Sequence, residues 1–249
     1  MNNGTELAVE TAGLTRIYRT RGGEVRALQG IDLRIQPGRW VAIKGRSGSG
    51  KTTLLNCIGG LDRPTSGTVR CFGQDITRMS EAQLTHWRRH QVGFVFQSFA
   101  LLPTLSAYEN IELPLRIAHY KDRVARTKYL LELVGLTKWA HHRPFEMSGG
   151  QQQRIAIARA LANHPRLILA DEATGELDTT TARQILSLFR RIVELEGVTL
   201  LTATHDPLVL EYVDEIIELQ DGQVINRVVQ VSDSVSTASL RAVGLPSNV

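Results

Sequence analysis

The sequence predicts an α/β fold: a mostly parallel sheet core, an N-terminal antiparallel β subdomain and a helical subdomain set into the core. Three observations carry this. Over the second half of the chain, short apolar runs alternate with amphipathic helical segments, the pattern of a parallel sheet covered on both faces. From Leu7 to Ile35 the pattern is short and alternating and contains a glycine turn. Between Ser106 and Leu136 the apolar period becomes helical.

The elements follow in order. Val25, Leu28, Ile31, Leu33 and Ile35, with Arg21-Gly22-Gly23 as a turn, read as antiparallel strands. Trp40-Val41-Ala42-Ile43 is a buried strand that runs through a glycine-rich loop into a helix from Thr52 to Gly59. A β segment at Thr68 to Phe72, a helix from Glu81 to Arg89 and a strand from Val92 to Phe96 come next, with Gln97 at the strand end. In the insert, Leu130, Leu131, Leu133 and Val134 fill one broad face after a break near Tyr120. Core alternation then returns: helix Gly149 to Ala162, strand Leu167 to Ala170, helix Thr180 to Leu195, strand Thr199 to Ala203 and strand Ile216 to Leu219. Ile185, Leu188, Phe189 and Ile192 keep the i, i+3, i+4, i+7 spacing of a helix with one apolar face. Residues 1–226 are expected to form one domain, its core at about 1–96 and 160–226 and its helical insert at about 97–159. The tail, 227–249, is rich in Ser and Val, lacks helical period and is expected to be partly disordered.

The 249 residues carry a net charge of +4, are 42% hydrophobic and include two cysteines, which excludes fibrous, collagenous and wholly disordered classes. No apolar run approaches the length of a membrane-spanning helix, and Met1 to Glu10 lacks a basic-then-apolar leader, so a cytosolic chain is expected. Cys57 and Cys71 fit no zinc, redox or catalytic spacing and are expected to be reduced and structural. Basic residues are spread over Arg16 to Arg21, Trp87 to His90 and Arg123 to Lys128. That spread suits a polyanionic nucleotide or an anionic membrane surface equally, and no nucleic acid partner is expected.

The strongest chemical signal is Gly45-Arg46-Ser47-Gly48-Ser49-Gly50-Lys51-Thr52, a G-x-x-x-x-G-K-S/T loop between a buried strand and a helix. Glycines let successive N–H groups face inward around phosphate oxygens, and the helix N-terminus adds its positive dipole end. Lys51 supplies charge to the β- and γ-phosphates, and the Thr52 hydroxyl is a Mg²⁺ ligand. Leu167-Ile168-Leu169-Ala170-Asp171-Glu172 is an apolar strand ending in two carboxylates. With the phosphate loop present they divide the labour, Asp171 on the hydration shell of Mg²⁺ and Glu172 polarising an attacking water.

Met147-Ser148-Gly149-Gly150-Gln151, opening a helix about one helix length before Asp171-Glu172, makes the chain resemble the nucleotide-binding subunits of ABC transporters. The resemblance runs over about residues 7 to 226 and implies the P-loop NTPase fold of ABC type. It also implies ATP and Mg²⁺ as cofactors and a head-to-tail homodimer, in which Ser148, Gly149, Gly150 and Gln151 of one subunit close on the ATP of the other. By the same resemblance Tyr18 stacks on adenine, Thr53 joins the ATP-binding loop, Gln97 touches Mg²⁺ and relays to the insert, Asp178 supports the dimer contact and His205 senses the γ-phosphate. Each has a plainer role open to it: strand aromatic, strand terminator, helix N-cap and polar loop residue, respectively, for Tyr18, Gln97, Asp178 and His205.

Gly60-Leu61-Asp62-Arg63-Pro64-Thr65-Ser66-Gly67, Val92-Gly93-Phe94-Val95-Phe96-Gln97 and Leu101-Leu102-Pro103-Thr104-Leu105-Ser106-Ala107-Tyr108-Glu109-Asn110 look like the macrolide-export, lipoprotein-release and cell-division group. That likeness implies a polytopic permease with an extracytoplasmic domain as partner and a peripheral place on the cytoplasmic face of the membrane. The apolar run from Phe99 to Tyr108 is core of the insert or a groove for a short cytoplasmic helix of that permease, and both readings can hold for different residues of the run. The sequence departs from the family at Met147 (usually Leu), Arg46 (commonly Pro), Ala173 (Pro) and Glu176 (commonly Asn, Ser or Ala), the last adding charge near the dimer seam. A soluble ABC ATPase without a membrane partner and a regulatory drive of a cell-wall enzyme remain open alternatives.

Overall fold

A computed structural model describes residues 6–20 and 22–230. The elements are β1 (Val9–Thr20), β2 (Gly23–Ile35), β3 (Trp40–Lys44), α1 (Lys51–Ile58), β4 (Ser66–Cys71), β5 (Gln74–Asp75), α2 (Glu81–Gln91), β6 (Val92–Val95), α3 (Ala107–Ile117), α4 (Arg123–Leu133), α5 (Gly149–Ala160), β7 (Leu167–Asp171), α6 (Thr179–Glu196), β8 (Thr199–Thr204), β9 (Glu215–Gln220) and β10 (Gln223–Val229). Strands β2-β1-β4-β5 form one sheet, and β10-β9-β3-β8-β7-β6 form the other. The first is antiparallel. The second is parallel throughout except for β10 on its edge.

Because successive strand residues point to opposite faces, the parallel sheet divides the core in two. Trp40, Ala42, Ile168, Ala170 and Leu200 join the buried residues of α3, α4, α5 and α6 on one face. Val41, Ile43, Leu167, Leu169, Leu201 and Ala203 join α1 and the antiparallel sheet on the other. Strands buried on both faces carry no polar alternation, which is why β3 and β7 read as apolar runs. Ile185, Leu188, Phe189 and Ile192 of α6 are buried, as their spacing predicts. The helix starts at an Asp178 N-cap that accepts the Thr181 N–H at 3.0 Å and stops at Gly197, where φ is 64°. The expected break near Tyr120 is the connection between α3 and α4.

The insert is tied to the core at α4. Arg126 donates to Leu161 O at 2.9 Å and to Glu196 Oε2 at 3.1 Å, and the Tyr129 hydroxyl donates to Glu196 Oε1 at 2.6 Å. The Phe99–Tyr108 run divides: Leu101 and Tyr108 pack on the core, whereas Leu102 is 44% exposed. Buried Asn110 braces the run, donating to Leu102 O and Leu105 O, each at 3.1 Å, and accepting from Leu102 N at 2.9 Å.

One boundary needs correction. Arg227, Val228 and Val229 belong to β10, paired with Ile217, Ile216 and Glu215, and not to the tail that was expected from residue 227. Arg227 is held by an ion pair with Glu215 and by a bond from its guanidinium to Arg34 O. Residues 231–249, the rest of that tail, lie outside the described residues.

Candidate active site

The loop after β3 is shaped by close backbone approaches. A Cβ on Gly45 would stand 2.4 Å from Leu219 O, and one on Gly50 would stand 2.3 Å from Ala27 O at a φ of 103°. Only glycine fits both positions. The Lys51 side chain, 6% exposed, bends back to donate to Gly45 O at 2.9 Å and Arg46 O at 3.0 Å. Its charge is thereby held inside the ring of Gly45, Arg46, Ser47, Gly48, Ser49 and Gly50, at the N-terminus of α1, where Thr52 and Thr53 follow. Buried Ser49 Oγ has no hydrogen-bond partner among the described residues. The turn between β9 and β10 braces the loop: Gly222 N donates to Ser49 O at 3.0 Å, and Gln29 N donates to Gly222 O at 2.8 Å.

Strands β3, β8 and β7 are neighbours, so the loop, His205 and the Asp171-Glu172 pair emerge side by side at their C-terminal ends. Asp171 Oδ1 is buried without a partner among the described residues. Burial raises the Asp171 carboxyl above its ordinary value and the nearby Glu172 charge adds to this, against the lowering effect of the Thr52 hydroxyl and Lys51. A half-satisfied carboxylate beside a threonine hydroxyl is a hard-oxygen donor set that fits Mg²⁺. Glu172 adopts a φ of 47°, outside the usual range for a non-glycine residue, fixed by bonds from its N–H to Ala203 O and from Gly175 N to its own carbonyl, both 3.0 Å. Its Oε1 lies 3.0 Å from His205 Nδ1, an imidazole that remains 65% exposed. An ionised carboxylate only accepts, so Nδ1 carries the proton between them.

Ser148 caps α5 in a reciprocal box with Gln151: Gln151 N donates to Ser148 Oγ at 3.3 Å and Ser148 N to Gln151 Oε1 at 2.9 Å. Gly149 and Gly150 lie against the segment that follows Glu172. A Cβ on Gly149 would be 3.5 Å from Leu177 Cδ2, and one on Gly150 would be 2.4 Å from Thr181 Cγ2. Exposed Gln97 extends its amide over Gly175, 3.4 Å from where a Cβ would stand. The Tyr18 hydroxyl donates to Asp62 Oδ2 at 2.5 Å, and the Arg16 guanidinium lies 4.4 Å from the ring centroid.

The structure thus brings Lys51, Thr52, Asp171, Glu172 and His205 to one strand-end face, with Gln97 over the adjoining loop. Ser148 and Gln151 bond to each other, and neither bonds to the Gly45–Thr52 loop of the same chain. Asp178 is an N-cap, a role compatible with the dimer contact also expected of it. Sequence reading missed Asp62, Gln153 and Gly222. Gln153 is fully buried and donates to Ala173 O at 2.8 Å, behind Glu172. The Asp-Gly turn signal at Asp221-Gly222 is visible in the sequence; nothing there marks the other two.

A family model described as "ABC transporter" matches residues 28–175. The chain belongs to the ABC transporter family. An ABC transporter ATP-binding protein of Thermotoga maritima is 50% identical over 221 residues, covering 87% of this chain and 93% of that one. The lipoprotein-releasing system ATP-binding protein LolD of Hyphomonas neptunium is 45% identical over 222 residues, 88% of this chain and 97% of LolD. The macrolide export ATP-binding/permease protein MacB of an Azoarcus species is 48% identical over 224 residues, 89% of this chain but 34% of MacB, so this ABC ATPase spans about a third of that protein. A solved ATP-binding cassette, described as a dimer in a post-hydrolysis state with ADP and Pi, aligns with a TM-score of 0.82 and 42% identity over 89% of this chain and 98% of its own. The fold is therefore the ABC type of P-loop NTPase, and the chain is an ATP-binding, ATP-hydrolysing transporter subunit. Among the described residues no helix is long and apolar enough to cross a membrane.

Proposed function

We propose that this ABC ATPase binds ATP with Mg²⁺, closes head to tail with a second copy around two nucleotides, and uses closure to drive a separate polytopic permease with an extracytoplasmic domain. The observation that carries the reading is the convergence of the glycine loop, orphaned Asp171 Oδ1 and the Glu172–His205 pair at the ends of adjacent parallel strands. The names of the LolD and MacB relatives and the dimeric solved cassette support the transporter and dimer parts. The chain would then sit peripherally on the cytoplasmic face of the membrane, with the exposed side of the Phe99–Tyr108 run receiving a short permease helix.

In this reading N–H groups from Gly45 to Thr53 hold the phosphates, Lys51 leaves its two carbonyl partners for the β- and γ-phosphates, and Tyr18 offers adenine the ring face that Arg16 does not take. Thr52 and Gln97 hold Mg²⁺, with Asp171 acting through water. When bound, the ion neutralises charge developing on the phosphate oxygens. Glu172 orients the attacking water and takes up its proton, and His205 fixes the Glu172 carboxylate and contacts the γ-phosphate. Ser148, Gly149, Gly150 and Gln151 bring the α5 N-terminus to the partner's ATP, adding N–H donors without adding a lysine.

Lys51→Ala is expected to weaken nucleotide binding, whereas Glu172→Gln keeps binding and dimerisation but stops turnover. Equal loss of binding in both would contradict the assignments. Affinity capture of Glu172→Gln from solubilised membranes with ATP and Mg²⁺ tests the partner: a polytopic protein with an extracytoplasmic domain is expected, and soluble partners alone would overturn that part.

A further inference from the structure

We propose that Arg46 of one subunit and Glu176 of the partner subunit form an ion pair across the ATP-closed dimer, twice per dimer by symmetry. This rests on the head-to-tail reading above and adds a contact particular to this chain. Both residues are exposed, and among the described residues neither has a side-chain hydrogen bond or an ion pair.

Their neighbours are already engaged. In the nucleotide loop Lys51 is bound to Gly45 O and Arg46 O, and Lys44 beneath it faces Glu218 at 3.5 Å. Arg46 is the basic group left over. In the segment after β7 the Glu172 carboxylate holds His205, and that of Asp178 takes both the Thr181 amide and hydroxyl. Glu176 is the exposed acidic group left over.

The packing of α5 sets where Glu176 goes on closure. Leu177 and Thr181 lie directly against Gly149 and Gly150 at the α5 N-terminus. A helix end that docks on the partner's nucleotide therefore carries residues 176–178 onto the partner's nucleotide loop, the loop that presents Arg46. A carboxylate delivered beside a polyphosphate is repelled unless a cation meets it, and a long, exposed arginine on that loop is such a cation. The two residues are also two of the positions at which this chain departs from the pattern it resembles, with opposite added charges.

The test is ATP-dependent dimerisation of Glu172→Gln protein with ATP and Mg²⁺, measured by sedimentation, with ATP affinity of the monomer measured alongside. Arg46→Glu and Glu176→Arg are each expected to weaken the dimer about tenfold, since each turns two attractive contacts into two repulsive ones. The double exchange, Arg46→Glu with Glu176→Arg, is expected to restore it to within about threefold of the parent, and raising the salt to narrow the gap between single variants and parent. A double variant no tighter than the weaker single variant overturns the pair while leaving the dimer reading intact. A parent that binds ATP but stays monomeric overturns the dimer reading and the pair with it.

Discussion

Gly150→Ala is the substitution whose effect the geometry fixes most tightly. A Cβ there stands 2.4 Å from Thr181 Cγ2, against an ordinary carbon–carbon contact of about 3.5–4.0 Å. The methyl is not free to turn away, because the Thr181 hydroxyl bonds Asp178 Oδ2 at 2.6 Å and its amide is the capped N–H of α6. Rotating the side chain forfeits the hydroxyl bond, at a cost of about 1 kcal/mol. Keeping it pushes the first turn of α5 off α6, an overpacking worth about 1–3 kcal/mol. The better helix propensity of alanine returns at most about 1 kcal/mol, so a net loss of no more than about 2 kcal/mol is expected in urea unfolding. The effect on function is larger, because the displaced groups are the N–H donors at the end of α5. A misplacement of about 1 Å is expected to lower steady-state ATPase by about 10²-fold. Thr181→Ser removes Cγ2 and keeps the hydroxyl on Asp178, so Gly150→Ala with Thr181→Ser should recover most of both losses. A double variant as impaired as Gly150→Ala alone would refute the steric account.

Three further outcomes follow from buried ionisable groups. Asp171→Asn should raise the melting temperature of nucleotide-free protein at neutral pH while abolishing Mg²⁺-dependent turnover. A carboxyl whose pKa is raised on folding contributes stability at low pH and loses it as pH rises through the folded value, and differential scanning fluorimetry across pH checks this. At Glu196 burial pushes the carboxyl up, but the Tyr129 hydroxyl and Arg126 outweigh it and hold it below 4.5; its contribution is therefore present above that value and lost as pH falls through the folded one. Arg126→Ala, which leaves this carboxylate, with only 12% of its side chain exposed, to the Tyr129 hydroxyl alone, should cost about 1.5–3 kcal/mol near neutrality, less in acid, by urea titration at the two pH values. Burial pushes the Cys57 and Cys71 thiols up to about 12, so neither should react with iodoacetamide at neutral pH until the protein is unfolded, as intact-mass measurement will show.

What the sequence made legible and what it hid divide along physical lines. Strands β3 and β7 are buried on both faces and read as apolar runs; α6 buries one face and reads by its period. The glycine loop is legible because close backbone approach excludes side chains at fixed spacing. By contrast β10 runs along an edge with nearly every residue exposed, so no burial pattern marks it. Tyr18 finds Asp62, and the nucleotide loop finds Gly222, through contacts between residues far apart in the chain, which local periodicity does not register. Gln153 is one of three adjacent glutamines, and only the packing of α5 on the sheet makes it the one that turns inward.

That inward glutamine explains how one short segment gathers the site. Its Nε2 holds Ala173 O, while its Oε1 is buried without a partner among the described residues, an arrangement costlier than an apolar side chain of similar size. The same segment takes the Glu172 N–H to Ala203 O on the sheet, Gln97 above Gly175, and Leu177 against Gly149. The sheet, the link to the insert and the insert's own helix thus all bear on residues 172–178, and the carboxylate of Glu172 stands at their head with its backbone already held at positive φ. A shift of α5 against the sheet cannot leave Ala173 in place while its carbonyl remains bound to Gln153. The helix whose N-terminus is proposed to close on the partner's nucleotide is in this way fastened, within its own chain, to the backbone that aims the Glu172 carboxylate.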